Sequence, residues 1–286
     1  MQRTLIQKTN KFISNLSLLQ KTYVMGILNR TPDSFYDGGR FLEKEAAVSH
    51  VYKMVDEGAD IIDIGGQSTR PWSSRISQEE EMERVIPIIE EVANNIDAPI
   101  SIDTHNHVVA EEAIKKGALL VNDITGLKGD PGMAGVIAEY NAGVVLMHIK
   151  GTPKNMQDNP QYENLIEEII AYLGDSIKIG IDAGISPDKM IIDPGIGFGK
   201  TPEHNLSIIK RLGEFRVLDK PILIGVSRKS FIGTVLNANL DGRLFGTAAA
   251  CAISIASGAN IIRVHDVKEM FEVARMTDAI LREGNL

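Results

Sequence analysis

Polar side chains recur in this chain at one kind of place, directly after short apolar runs. Asn29 follows residues 24–28, and Gly65-Gly66-Gln67 follows 61–64. Asp103 follows 99–102, Asn122-Asp123 follows 119–121, and His148 follows 144–147. Asp193 follows 190–192, Ser227 comes just after 222–225, and His265-Asp266 follows 261–264. Asp103, Asn122 and Asp193 carry short, rigid acids and an amide. Such groups suit the edge of a flat heterocycle, accepting from its N–H donors and donating to its ring acceptors. Local alternatives exist for two of them: Asp193 as a turn former in Asp193-Pro194-Gly195, and Asp103 as an N-cap before Val108.

Cations fall at the same places: Arg70, Lys229, Arg263 and His265. Ser227-Arg228-Lys229-Ser230 follows an apolar run and should open a helix, where backbone N–H groups favour anions. Arg263 and His265 alternate with apolar neighbours, so both should point one way. Directed into a shared mouth they make an anion site; the alternative is an Arg–Asp ion pair beside a satisfied histidine. The net charge of -8 argues against general nucleic-acid binding and leaves an anionic substrate to local cations or a metal. Two long polar stretches, 29–39 and 65–74, concentrate Phe35, Tyr36 and Trp72 in a chain with 5% aromatics. Both are candidate lids. His105 and His107 read as solvated loop histidines, and Gly195, Gly197 and Gly199 lack the Gly-x-Gly-x-x-Gly spacing. The acidic run 79–83 reads as a charged helix start. Cys251 reads as a packed helix residue.

Something must bring these side chains together. The apolar runs are short and β-rich, as buried parallel strands are. Between them lie amphipathic segments, among them 43–57, 78–94, 108–116, 164–182, 203–212 and 267–282. Eight such strands alternating with helices predict an α/β fold, a single-domain (β/α)₈ TIM barrel over residues 1–286. A doubly wound open sheet is the alternative. In a barrel every strand end lies on one face, which holds the active site. Residues 1–22 precede the first strand and are expected to cap the barrel bottom. Hydrophobic residues make up 43% and charged residues 24%, enough for a large core. No apolar stretch reaches the ~18 residues of a membrane span, and the first residues lack the pattern of a signal peptide. A cytoplasmic protein is expected.

The motifs resemble the dihydropteroate synthases. The resemblance begins with Met25-Gly26-Ile27-Leu28-Asn29 leading to Thr31-Pro32-Asp33-Ser34-Phe35. It continues through residues 58–66 with Ser68-Thr69-Arg70-Pro71, then Ser101-Ile102-Asp103-Thr104 and Val121-Asn122-Asp123-Ile124. Met147-His148, residues 193–198, Ser227-Arg228-Lys229-Ser230-Phe231 and Arg263-Val264-His265-Asp266 follow in order. Arg30, Tyr36, Gln67 and Trp72 depart from the common loop pattern.

The resemblance implies a TIM barrel that condenses 6-hydroxymethyl-7,8-dihydropterin diphosphate with p-aminobenzoate in folate biosynthesis. It also implies Mg²⁺, inhibition by sulfonamides, and a homodimer. Asp103, Asn122, Asp193 and Lys229 would bind the pterin. Asn29, Ser68, Thr69, Arg263 and His265 would bind the diphosphate, with Asn29 also a ligand of Mg²⁺. Phe35, Arg70, Pro71, Phe198 and Ser230 would surround p-aminobenzoate. Asp37, Asp103 and Lys229 would be catalytic, with the carboxylates steadying a carbocation-like transition state as diphosphate departs. Two readings compete with this one: a paralogue that keeps the pterin pocket without turnover, and a pterin-dependent methyl transferase of a related barrel family.

Overall fold

The structure, a computed structural model, describes residues 21–30, 40–68 and 76–282, without the side chains of residues 40–43. Its strands are β1 (Tyr23–Asn29), β2 (Ile61–Gly65), β3 (Ile100–Asp103), β4 (Leu120–Asp123), β5 (Gly143–Met147), β6 (Met190–Asp193), β7 (Leu223–Ile224) and β8 (Ile261–Val264). Between and after them run α1 (Arg40–Asp56), α2 (Gln78–Val92), α3 (His107–Lys116), α4 (Met133–Tyr140), α5 (Leu165–Asp182), α6 (Pro202–Lys210), α7 (Ser230–Leu236), α8 (Leu244–Ala256) and α9 (Val267–Leu281). Every strand pair is parallel, in the order β6-β5-β4-β3-β2-β1-β8-β7. A parallel bridge between Ile192 and Ile222 joins the two ends of that order. The sheet therefore closes into a nearly complete barrel, and the open-sheet alternative falls.

Two apolar layers hold it. Met25, Ile61, Leu120, Val145, Ile191, Leu223 and Ile261 form a buried cluster of their own, one residue from each of seven strands, which fills the barrel. The intervening residues, such as Ile62, Ile64, Val121, Val144, Ile192 and Ile262, belong to a second cluster shared with the helices. Both faces of each strand are thus buried, which is why the strands read as unbroken apolar runs.

Helix ends follow local chemistry. The Ser77 hydroxyl accepts from Glu80 N–H, and the Asn106 amide oxygen accepts from Val108 N–H. Thr201 and His204 form a reciprocal capping box before α6. Asn106, not Asp103, is therefore the N-cap of α3. Helix α4 was outside the segments expected to be helical. It is 8 residues long and opens out of Asp130-Pro131-Gly132, a turn-like sequence. Cys251 is fully buried in α8, and burial pushes its thiol up to about 12, as suits packing rather than nucleophilic attack.

The expected cap of the barrel bottom lies almost wholly outside the described residues. Of its members, Thr22 hydrogen-bonds Asp278 through its backbone N–H at 2.6 Å and its hydroxyl at 2.8 Å. Thr22 borders a cavity of about 750 Å³ at this end, with Arg216, Lys220, Asn260 and Asp278. It sits at the N-terminal ends of the strands, opposite the face that carries chemistry in such barrels. Among the described residues no helix is long and apolar enough to cross a membrane.

Candidate active site

Strand side chains alternate between faces. Ile61, Leu120, Ile191 and Ile261 point into the barrel, so the residues two further on must point inward too. Those residues are Asp63, Asn122, Asp193 and Arg263, one pleat above the apolar filling. Around the rim Asn29 pairs in register with Gly65, Gly65 with Asp103, and Asp103 with Asn122. Residues more than 200 positions apart in the chain are placed on one mouth by pleat and register alone.

Arg263 ties the mouth together. It donates from Nε to Asp63 Oδ2 and from Nη2 to Asp103 Oδ2, each at 2.6 Å. Asn122 Nδ2 donates to the same Asp63 oxygen at 3.0 Å. Asp63 is fully buried, and its Oδ1 accepts from no group among the described residues. Burial pushes the Asp103 carboxyl up to about 7, with Asp63, Glu81 and Asp123 adding to the rise and Arg263 opposing it. The ion-pair alternative for Arg263 is thus the one the structure contains, formed through Nε and Nη2. The neighbouring histidine is also engaged: His265 Nδ1 lies 3.0 Å from Ser227 Oγ.

Asp193 enters from β6. Its Oδ1 accepts from Gly195 N–H at 2.7 Å, so the local turn reading holds for one oxygen. Burial raises its carboxyl, while Lys229, the Gly195 N–H, Lys200 and Arg263 pull it back down. Lys229 is the N-cap residue of α7. Its Nζ donates to the carbonyl of Ile196 and lies 4.7 Å from the Phe198 ring centroid. Burial lowers the Lys229 amine to about 8, against the pull of Asp193. Phe198 packs on Ile124, Met147, Ile149 and Met156, so Lys229 sits between the Asp193 carboxylate and an apolar shelf.

The remaining positions lie farther around the rim. A Cβ on Gly65 would stand 3.4 Å from Asn29 Oδ1 and 3.6 Å from Asp103 Oδ2, which places the Asn29 amide over the same acids. Ser68 begins the second loop half-buried, and Ser230 is exposed at the start of α7. Phe35, Asp37, Thr69, Arg70 and Pro71 lie outside the described residues, as do Tyr36 and Trp72. Arg30 is buried, and its Nη1 donates to the Arg84 carbonyl of α2 at 2.8 Å. Arg84 Nη1 in turn donates to the Gly66 carbonyl at 2.8 Å, so the starts of both long loops are fastened to α2.

Asp63, Glu81 and Lys200 are buried charges in or beside this site that had no expected role. Asp63 left a signal, since a lone acid in Ile61-Ile62-Asp63-Ile64 breaks a run that should be buried on both faces. Glu81 belongs to the run that reads as a charged helix start. Glu79 and Glu80 are exposed, but Glu81 is 2% exposed under Gly66, and burial raises its carboxyl. Lys200 left no signal, because a lysine before a helix is ordinarily solvated. His107 is bound to Asp130 through Nδ1 at 2.8 Å.

The mouth offers acceptors and an amide at its floor, cations beside them, and an apolar shelf. That combination can hold a flat, N–H-bearing ring by its edge and an anionic tail at its side. Comparison with known proteins agrees. The pterin-binding enzyme family matches residues 25–265. Dihydropteroate synthase from Clostridium beijerinckii is 50% identical over 264 residues, covering 92% of this chain and 96% of the relative. The enzyme from Bacillus subtilis is 46% identical, covering 96% and 93%. Among solved structures, Clostridium difficile dihydropteroate synthase in the presence of pteroic acid superposes with a TM-score of 0.87 at 48% identity, covering 92% of this chain and 97% of that one. The Yersinia pestis enzyme with a sulfonamide drug complex gives 0.88 at 42%, covering 92% and 96%. The Xanthomonas albilineans enzyme with 4-aminobenzoic acid gives 0.86 at 38%, covering 92% and 94%. This chain belongs to the pterin-binding enzyme family and, within it, to the dihydropteroate synthases, which are transferases.

Proposed function

We propose that the chain condenses 6-hydroxymethyl-7,8-dihydropterin diphosphate with p-aminobenzoate, giving 7,8-dihydropteroate and diphosphate. The observation that carries this reading is the convergence of Asp63, Asp103, Asn122, Asp193, Lys229 and Arg263 on one mouth. Asp193 accepts from the ring's N–H and amino groups through the oxygen not bonded to Gly195. Asn122 and Asp103 bind other polar atoms of the ring. Lys229 lies at its border with the second substrate, whose ring rests on Phe198. The bond between the pterin methylene carbon and the diphosphate oxygen breaks first, leaving the electron pair on diphosphate. The carbocation-like centre is steadied by carboxylates, Asp103 among the described residues and Asp37 beyond them. The aniline nitrogen of p-aminobenzoate then forms the new C–N bond and loses its proton to solvent or a nearby carboxylate. Ser68, Thr69, His265 and Arg263 hold the diphosphate; Arg263 does so while spanning Asp63 and Asp103. Arg70, Pro71, Phe35 and Ser230 complete the p-aminobenzoate site.

Mg²⁺ belongs to the same reading. Magnesium on a phosphate substrate usually takes one or two protein oxygens and keeps several waters. The Asn29 amide oxygen above the acidic rim suits that demand. The ion would supply charge neutralisation for the departing diphosphate. Sulfonamides, as mimics of p-aminobenzoate, are expected inhibitors, consistent with the drug complex of the Yersinia enzyme. A homodimer in the cytoplasm completes the proposal.

Incubation of the protein with Mg²⁺ and both substrates tests it. Diphosphate and 7,8-dihydropteroate should appear together. Pterin binding without product would favour the inactive paralogue, and methyl exchange with a methylated folate the methyl transferase. Asp193→Ala should weaken pteroate binding by roughly one to two orders of magnitude, the worth of a charged hydrogen bond. Unchanged affinity by calorimetry would show that the ring edge lies elsewhere.

A further inference from the structure

The loop from β6 to α6 is fastened at four successive carbonyls. The carbonyl of Ile196 accepts from Lys229 Nζ, and that of Gly197 from Gln157 Nε2 at 2.6 Å. The Phe198 carbonyl accepts from Lys200 Nζ at 3.0 Å, and that of Gly199 from Tyr162 Oη at 2.8 Å. Gly195, Gly197 and Gly199 have φ of 71°, 81° and 68°, so left-handed residues alternate along the loop and turn successive carbonyls to different donors. Of the two lysines in this set, Lys229 has a place in the reaction and Lys200 has none.

Lys200 is 2% exposed. A lysine so deeply buried is rare without a carboxylate partner. Its direct hydrogen-bond partners are neutral: the Phe198 carbonyl, and His148 Nδ1 at 2.8 Å. Burial, with Lys200 itself next in weight, holds the His148 imidazole down to about 2. An ammonium has donors only, so with Lys200 charged the neutral His148 ring accepts at Nδ1.

The acid that acts on it is Asp193. A Cβ on Gly195 would lie 3.4 Å from Lys200 Nζ, and the N–H of Gly195 is the donor to Asp193 Oδ1. Asp193 faces Lys229 from α7, Arg263 from β8, and Lys200 with the Gly195 N–H from its own loop. From β5 the backbone N–H of His148 donates to the Asp193 carbonyl at 3.0 Å. Lys200 itself faces Asp193, which favours its charge, and Lys229 and Lys150, which oppose it. His204 on α6 also feels the Lys200 charge.

We propose that Lys200 is a positioning residue whose ammonium, fixed between His148 and the Phe198 carbonyl, supplies charge on the loop side of Asp193 and keeps that carboxylate an acceptor for the ring edge. It rests on the pterin reading above. Burial, with the charges of Lys229 and Lys150, holds the amine well below its ordinary range, and against that stand two acceptors and the Asp193 carboxylate, which favour the ammonium, the stronger donor. The charge would otherwise be dispensable, because a neutral amide could fasten the same two acceptors.

Lys200→Gln separates charge from fastening. Calorimetric titration of pteroate from about pH 5 to 9, with Tm to establish folding, should show the acid limb of affinity moved up by about one pH unit. On the acid side of the limb affinity then falls about tenfold while the alkaline side is kept. An unmoved limb in a folded Lys200→Gln protein overturns the proposal. If that variant does not fold, His148→Gln leaves the ammonium and alters only its neighbour. Its acid limb should stay in place, and a limb that moves assigns control of Asp193 to loop packing and overturns the proposal. Wild-type protein that takes up no pteroate at any pH removes the pterin reading as well, an outcome distinct from the other two.

Discussion

Burial shifts Asp103, Asp193 and Lys229 away from their ordinary charge states, and their neighbours decide how far. Asp103 shows the consequence for stability. Its carboxyl stands at about 7 in the folded chain against 3.8 ordinarily. The folded protein therefore binds this proton more tightly than the unfolded chain does. The contribution is fully present below about pH 4 and is lost as pH rises through about 7. We expect Tm to fall more steeply across that window in the wild type than in Asp103→Asn, measured without ligand. Parallel profiles would show an Asp103 carboxyl that titrates as in water. The same crowding suits the proposed chemistry, since a pterin edge or a developing cation gives these acids a further partner.

At the scale of elements, the β6–α6 loop carries the site as much as any strand. Gly195 is in the left-handed region at φ 71°, and a Cβ there would overlap the His148 carbonyl oxygen. Gly195→Ala should cost upwards of about 2 kcal/mol through strain and overlap together. It should also weaken pteroate binding, because the Gly195 N–H orients Asp193. Thermal denaturation and calorimetry check both parts, and a variant with wild-type Tm would mean that the loop has room to shift. The glycine spacing was visible in the sequence, but its meaning was not. Spacing excluded a nucleotide loop, whereas the carbonyls are met by donors from three different loops, those before α5, α6 and α7. Helix α8 gave a similar lesson. Spacing does not show what its small residues meet: a Cβ on Gly246 would overlap the Ile232 side chain of α7, a contact within the chain.

On the whole molecule, large apolar side chains stay exposed on the last two helices. Phe245 on α8 is 84% exposed, and Met276 and Ile280 on α9 are 63% and 65% exposed. We expect a homodimer to cover part of this surface. Phe245→Glu should lower the mass seen by light scattering toward that of one 31.3 kDa chain, with the fold intact by circular dichroism. A wild-type protein that is already monomeric at micromolar concentration would remove the homodimer from the proposal. With a net charge of -8, the molecule as a whole repels the diphosphate that the reading assigns to it. The cations at the mouth must therefore act at short range.

By itself the sequence determined the alternation of strands and helices, their parallel order, and the rim to which Asn29, Asp103, Asn122, Asp193 and Lys229 belong, while the Ile192–Ile222 bridge decided closure over an open sheet. These follow from period and order, because a strand's direction and pleat determine which face and which end a residue occupies. Tertiary structure decided the partners. That Arg263 spans Asp63 and Asp103, that Glu81 is buried while Glu80 is not, and that Lys200 lies against His148 depend on contacts between residues far apart in the chain. A charged side chain reads the same in sequence whether water or another strand surrounds it. Only packing removes the water, and with the water goes the ordinary behaviour of the charge.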